Sequence, residues 1–164
     1  CTRGLTWEWD GVEFAVLHPP AALPAADNNR SCVLRIAAAG RVFLLAGDIE
    51  AEAEAMLIGH ARDAVRADAL LVPHHGSRSS STPSFVAAVR PRYALVSAGY
   101  RNRFGHPHPE VIARYRTAGA EILETARHGA VRLRVEADGT IAPPERWRVD
   151  HRRFWYAGED PSAP

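Results

Sequence analysis

The sequence predicts an α/β (α+β) domain, on three observations. Arg41-Val42-Phe43-Leu44-Leu45-Ala46, Leu70-Leu71-Val72 and Tyr93-Ala94-Leu95-Val96-Ser97 are short, nearly continuous apolar runs that read as buried strands. Helical stretches separate them, at 49–67 and 83–89. Each run then gives way to glycine or proline and a polar loop, so that Asp48, His74-His75 and His106 follow three strand ends. Rigid sheets commonly present binding and catalytic groups on loops of this kind.

In chain order, Thr6-Trp7-Glu8-Trp9 and Val12-Glu13-Phe14-Ala15-Val16-Leu17 alternate around Asp10-Gly11, the signature of a hairpin. His18-Pro19-Pro20 ends it, with His18 read as structural or solvated, and residues 19–30 form a loop rich in alanine, proline and asparagine. Ser31 to Ile36 is a third strand and Arg41 to Ala46 a fourth, apolar enough to be buried on both faces. Asp48 suits two roles, an N-cap for the next helix or a cation-bridging carboxylate, and the two can coexist. The helix at 49–67 buries Met56, Leu57 and Val65, and its His60 lies on the surface. Glu50, Glu52 and Glu54 in its first turns match the helix dipole and read as a solvated face with no cation site. Thr82 caps a short helix from Pro83 to Val89, with proline in its preferred first position. Glu110 to Thr117 is a further helix, which His108 begins and Gly119 stops. Glu121 to Thr125 and Ala130 to Val135 are the final strands. From Gly139 onward periodicity fades, dividing the chain into a body at 1–138 and a tail at 139–164. Trp147, Phe154, Trp155 and Tyr156 are available to pack the tail on the body or to stack on nucleic acid.

Composition sets outer limits. The chain has 164 residues, 46% of them hydrophobic, enough for one domain with its own core and too apolar for a disordered segment. A net charge of +1 argues for no partner, and all the basic residues are arginine. No apolar run approaches the ~20 residues of a membrane helix, and no signal peptide is present. The first residue is Cys1, so the chain reads as processed, excised or truncated. Cys1 and Cys32 are too few for a disulfide scaffold. They pair in an oxidising compartment or remain two thiols elsewhere.

Carboxylate and imidazole at neighbouring strand ends make an oxygen and nitrogen ligand set suited to zinc or manganese. Such a metal acidifies a bound water and polarises a phosphoryl oxygen. Ser77, Arg78, Ser79 and Ser80 beside the histidines are candidate donors to a phosphate. His106, in a glycine and proline loop, suits a general acid or a phosphate contact, and His108 less so. His-His alone also fits a solvated loop.

Several ordered motifs resemble the metallo-β-lactamase-like domain of the ComEC competence family. They are Trp9-Asp10-Gly11-Val12-Glu13-Phe14, Leu17-His18-Pro19, Asn28-Asn29-Arg30-Ser31-Cys32-Val33-Leu34, Phe43-Leu44-Leu45-Ala46-Gly47-Asp48, Leu71-Val72-Pro73-His74-His75-Gly76-Ser77, Val96-Ser97 and Asn102-Arg103-Phe104-Gly105-His106-Pro107. The resemblance spans roughly residues 1–135. It implies an αββα sandwich, of which this chain is the C-terminal half and the end of the full protein. It further implies a divalent metal, zinc or manganese, in the complete domain and no organic cofactor. Asp48 would bridge metal ions. One of His74 and His75 would be the last ligand, and the other would lie near the substrate phosphate with Ser77 and His106. On an extended strand end, adjacent side chains point to opposite sides, which favours one ligand of the two. The implied setting is an inner-membrane DNA-uptake protein with this domain extracytoplasmic (periplasmic). The implied partners are single-stranded DNA and the rest of the same polypeptide, including a membrane channel. The superfamily motif His-x-His-x-Asp-His is absent here, and the resemblance places it before residue 1. The chain alone is then expected to bind metal weakly and to have little nuclease activity. Other readings are a phosphorylcholine esterase or lactonase of the same superfamily, or a non-catalytic DNA-binding module.

Overall fold

The computed structural model describes residues 1–23, 27–151 and 153. Seven strands form one mixed sheet in the order β1-β2-β3-β4-β5-β6-β7. They are β1 (Thr6–Trp9), β2 (Val12–His18), β3 (Val33–Ala38), β4 (Arg41–Leu45), β5 (Ala69–Leu71), β6 (Tyr93–Val96) and β7 (Glu121–Glu124). Antiparallel hairpins join β1 to β4, and β4 to β7 run parallel through helical crossovers. The crossovers are α1 (Ala51–Ala61), α2 (Pro83–Val89) and α3 (Pro109–Thr117). The mixed α/β class and the Asp10-Gly11 hairpin are as the sequence predicts.

Several boundaries differ, each for a tertiary reason. The third strand starts at Val33, not Ser31, because Ser31 N–H closes a 3₁₀ turn onto Asn28 O (2.9 Å) and Cys32 is disulfide-bonded to Cys1. The first helix begins at Ala51 and stops at Ala61, six residues short of the expected end. There Ala67 N–H turns to Val89 O (3.1 Å) and Asp68 N–H to Val42 O (2.8 Å), so the chain is captured by neighbouring strand and helix ends. Asp48 is not the cap: Glu50 holds that position, and its side chain makes no capping bond. By contrast α2 has the predicted bounds, with the Thr82 hydroxyl accepting from Phe85 N–H (3.3 Å). His108 stands at the N-cap of α3, as expected.

The last strands depart most. Residues Thr125–His128 form a helical turn, α4, because the Thr125 hydroxyl donates to Ala98 O (2.9 Å) and accepts from Ala98 N–H (3.0 Å). Only Val131–Arg132 (β8) is strand, paired with Glu145–Arg146 (β9) in a separate ladder, and α5 (Trp147–Asp150) follows. Ile141 is buried beside Tyr93 and Leu123, so residues just beyond Gly139 pack on the sheet. Trp147 is 53% exposed and rests on His151, while Phe154, Trp155 and Tyr156 lie outside the described residues.

The two faces of the sheet are unequal, and this decides how the site is supported. Leu44, Leu70 and Ala94 lie in register on one face, under Leu57, Phe85, Val89, Val111 and Tyr115 of the three helices. The opposite face carries two apolar rows, Trp7/Phe14/Ile36/Phe43/Ala69/Tyr93, which ends at Glu121 on β7, and Val16/Leu34/Leu45/Leu71/Leu95/Leu123 from β2 to β7. The 131–141 segment covers only the Tyr93 and Leu123 end. Trp7 (41%), Trp9 (75%) and Leu45 (36%) remain exposed, so β4 is not buried on both faces as its apolar run suggests. No helix among the described residues is long and apolar enough to cross a membrane.

The Cys1–Cys32 disulfide ties the start of the chain to the foot of β3 across a separation of 31 residues. Closing a loop of that size is worth about 3–4 kcal/mol on the chain-entropy account. The double variant Cys1→Ser/Cys32→Ser should lose stability of that order in equilibrium denaturation. A loss under about 1 kcal/mol would show that the hairpin is held without it.

Candidate active site

The site is built at the carboxyl ends of the parallel strands, where open α/β sheets bind ligands. Three loops leave β4, β5 and β6, and backbone contacts stitch them together. His74 N–H donates to Gly47 O (3.0 Å), Ala51 N–H to Ser79 O (3.0 Å), and His108 N–H to Gly76 O (2.8 Å). Two glycines make the approach possible. Gly47 (φ +58°) would place a Cβ 2.9 Å from Ser31 Cβ, and Gly76 (φ +81°) would place one 2.7 Å from Pro107 Cβ. Neither position has room for a side chain.

Between these anchors, His74 and His75 are not the end of a strand. Both are left-handed, at φ 48°, ψ 42° and φ 55°, ψ 18°. The alternation expected of extended backbone therefore does not apply; a tight turn aims the two rings instead. Left-handed backbone costs a non-glycine residue roughly 1–2 kcal/mol, and such strain is retained where surrounding contacts impose it and function uses it.

The turn gives each imidazole its own carboxylate. His75 Nδ1 lies 2.6 Å from Ser97 O; a carbonyl only accepts, so Nδ1 carries the proton. The Nε2 edge of that ring then faces Asp48 Oδ1 at 3.7 Å. His74 Nδ1 is 3.1 Å from Glu50 Oε1, and its Nε2 is 3.5 Å from Asn28 Nδ2. Glu50 is thus not part of a solvated face. Its carboxylate also accepts from Ser79 Oγ (2.9 Å) and Asn28 Nδ2 (3.3 Å). The bond from Ser79 above all, helped by Asn28 and His74, holds this carboxyl below the usual range. His106 completes the cluster, its ring centroid 5.8 Å from that of His74, while His74 and His75 are 6.4 Å apart. Burial, then the neighbouring His74, His75 and His108, lowers the His106 pKa and favours the neutral ring.

The serine and arginine run is divided. Ser77 Oγ is 3.0 Å from Ser79 Oγ on the rim, but Ser80 is buried and donates to Pro73 O (2.9 Å), so it cannot serve a phosphate. Arg78 donates to His108 Nε2. Glu54, expected in solvent, is fully buried and accepts from Ser81 N–H (2.5 Å) and Thr82 N–H (2.8 Å). Burial pushes its carboxyl up, and the Thr82 hydrogen bonds pull against that. Glu54 thereby pins the segment that carries Ser77 and Ser79 to α1.

Asn28, Asn29, Glu50 and Glu54 join the site by tertiary contacts that the sequence does not show. Asn29 Oδ1 accepts from Glu50 N–H (3.0 Å), and Asn29 O lies 2.7 Å from His18 Nε2. The buried His18 is therefore structural: it props the turn that brings Asn28 to His74. The acidic run's position directly after Asp48 was the available signal for Glu50.

Among the described residues, no group of three or more His, Cys, Asp and Glu side chains converges to hold a metal ion. Asp48 and His75 do have the donor chemistry of two ligands. A ring whose Nδ1–H is fixed by a backbone carbonyl keeps its Nε2 lone pair available for coordination, as in ligating histidines.

No family model matches the chain. It is 38% identical over 149 residues to Competence protein ComA of Neisseria gonorrhoeae, covering 91% of this chain and 21% of that protein. The chain is similar to one segment of a competence protein. Recombination protein 2 of Haemophilus influenzae is 36% identical over 157 residues (96% of this chain, 19% of that protein). ComE operon protein 3 of Bacillus subtilis is 35% identical over 132 residues (80% and 17%). The chain therefore spans about a fifth of the length of the curated relatives it matches, between 17% and 21%. The motif resemblance to competence proteins is in line with these matches.

Away from the rim, two buried imidazoles set a pH dependence. His18 has Nδ1 buried with no hydrogen-bond partner among the described residues, and His128 Nδ1 accepts from Glu124 N–H (3.0 Å). Burial lowers both from the ordinary 6.5. The unfolded chain then binds more protons just below 6.5, so their contribution is intact above that pH and is lost as pH falls through it. Glu54, raised from 4.5, works in the opposite direction in the window above 4.5. His128→Asn keeps an acceptor without a titrating group, so its stability should fall less steeply below about pH 6.5 than that of the parent. Parallel pH profiles in denaturant titrations would contradict this.

Proposed function

We propose that this chain contributes one wall of a metal-dependent phosphodiesterase site in a competence protein that takes up DNA. The observation that carries the reading is the rim itself: Asp48 with His75, Glu50 with His74, and His106, delivered from three strand ends. Its coincidence with relatives named for competence supplies the biological setting.

The one-sided packing supports a half-sandwich of metallo-β-lactamase type. Two apolar rows of six residues each lie on the face that no helix among the described residues covers, and Trp7, Trp9 and Leu45 are exposed on it. Exposed apolar side chains aligned across neighbouring strands fit the packing of a second sheet. We assign that sheet, with the remaining metal ligands, to another part of the same polypeptide. The Cys1–Cys32 disulfide fits an oxidising, extracytoplasmic (periplasmic) location for the domain of an inner-membrane protein with a DNA channel.

In this reading Asp48 and His75 hold a zinc or manganese ion, which when bound supplies an acidified water and polarises a phosphoryl oxygen. Between the two histidines, His75 has the ligand's geometry. His74 is gripped on both ring edges, by Glu50 and Asn28, and orients the pocket wall. Ser77 and Arg78 offer donors to the non-bridging phosphate oxygens. His106, whose surroundings favour the neutral ring, is suited to accept a proton or a hydrogen bond at the rim.

Manganese-dependent hydrolysis of single-stranded DNA by the full natural polypeptide tests this. Asp48→Ala and His75→Ala should each lower turnover at least about a hundredfold, in the range for disrupted metal centres and their supports. Glu50→Gln should cost less. Activity that survives both alanine variants, or persists in excess chelator, would refute the assignment.

A further inference from the structure

The loop between β6 and α3 carries two large rings into solvent beside the rim. Tyr100 is 55% exposed and Phe104 66%. An arginine lies over each: Arg101 Cζ is 5.1 Å from the Tyr100 centroid and Arg103 Cζ 4.8 Å from that of Phe104. The Phe104 ring is nearly parallel to His106, at 5.9 Å and 17°. His106 in turn is 5.8 Å from His74. A run of rings therefore leads from open solvent to the Glu50–His74 pair.

The loop is held in this form before any ligand arrives. Asn102 Nδ2 donates to Gly99 O (3.0 Å) and His106 O (2.6 Å), and Asn102 Oδ1 accepts from His106 N–H (3.0 Å). Prior rigidity of this kind reduces the ordering cost of binding. Residues 97–109 include Arg101 and Arg103 but neither aspartate nor glutamate. Arg78 donates to His108 at the far end of this segment. Exposed aromatic residues interleaved with arginines are the combination that holds unpaired nucleic acid, the rings by stacking and the cations by phosphate contact. A duplex keeps its base faces stacked inside and cannot offer them to a side chain.

We propose that Phe104, backed by Arg103 and the Asn102-clamped loop, is a base-stacking platform that makes the adjacent rim selective for single-stranded over double-stranded nucleic acid. The location of the scissile phosphate at the rim rests on the function proposed above; the stacking surface does not. Phe104 is the specificity-determining residue, and Tyr100 extends the platform outward.

The test uses the full natural polypeptide and fluorescence anisotropy with labelled oligothymidylate of about a dozen nucleotides, against a duplex of equal length, at fixed salt. Phe104→Ala should weaken single-strand binding about tenfold and leave the duplex unchanged, and Phe104→Leu should behave alike because it keeps apolar bulk without a π face. Phe104→Trp should restore or exceed parental affinity. Unchanged single-strand affinity in Phe104→Ala, or equal weakening of both ligands, would overturn the platform. Hydrolysis measured on the same samples separates the two proposals. If the parent shows no metal-dependent cleavage but binds single strands through Phe104, the phosphodiesterase reading falls and the platform stands. If Asp48→Ala abolishes cleavage while Phe104→Ala keeps full strand preference, the platform alone falls.

Discussion

Two backbone approaches that tolerate no side chain govern the rest of this structure. Gly47 lies against Ser31 and Cys32, and Gly76 against Pro107. They bring the loops after β4, β5 and β6 close enough for His74 N–H to reach Gly47 O and for His108 N–H to reach Gly76 O. Those bonds in turn impose left-handed backbone on two successive histidines. A methyl group at either glycine would separate the loops by more than side-chain adjustment can absorb, because the opposing atoms include backbone. The site's geometry is thus a property of main-chain packing first and of its charged groups second.

The electrostatics follow from that packing. The turn divides four ionisable groups into two pairs, one exposed and one engaged. Asp48 and His75 remain about half exposed, with an electron-rich ring edge toward a carboxylate. Glu50 and His74 are wrapped in hydrogen bonds from Ser79 and Asn28. Glu54 lies deeper and spends both oxygens on the main chain of Ser81 and Thr82. Tyr115 donates to the Ser81 hydroxyl and Arg114 to the Ser81 carbonyl, so the same segment is fixed from α3 as well. A rim supported from α1 and α3 suits chemistry, where misplacement of groups is costly.

Much of this arrangement was legible in the sequence where local physics decides. Thr82 before Pro83 gave α2 its bounds, Asp10-Gly11 gave the hairpin, and three apolar runs gave the parallel core. The strand-end location of Asp48, His74, His75 and His106 followed from those runs. What was not legible depends on distant partners. An acidic residue in a first helical turn looks the same whether it faces water, as Glu52 does, or two buried amides, as Glu54 does. The His-His pair read as extended because nothing local reveals that Gly47 and Gly76 will force a turn. The strand expected at 130–135 shrank to β8 because Thr125 redirects the chain against Ala98, and that contact spans 27 residues. Asn28 lies in a loop with no periodicity at all and reaches the site through the His18 and Asn29 contacts.

On the proposed function, Asp48 and His75, not His74, form this chain's share of a metal centre. The most direct measurement is anomalous diffraction from crystals of the full natural polypeptide grown with manganese. A peak in contact with both Asp48 and His75, with His74 still bonded to Glu50, is the predicted result. A peak on His74, or one remote from Asp48, would contradict it.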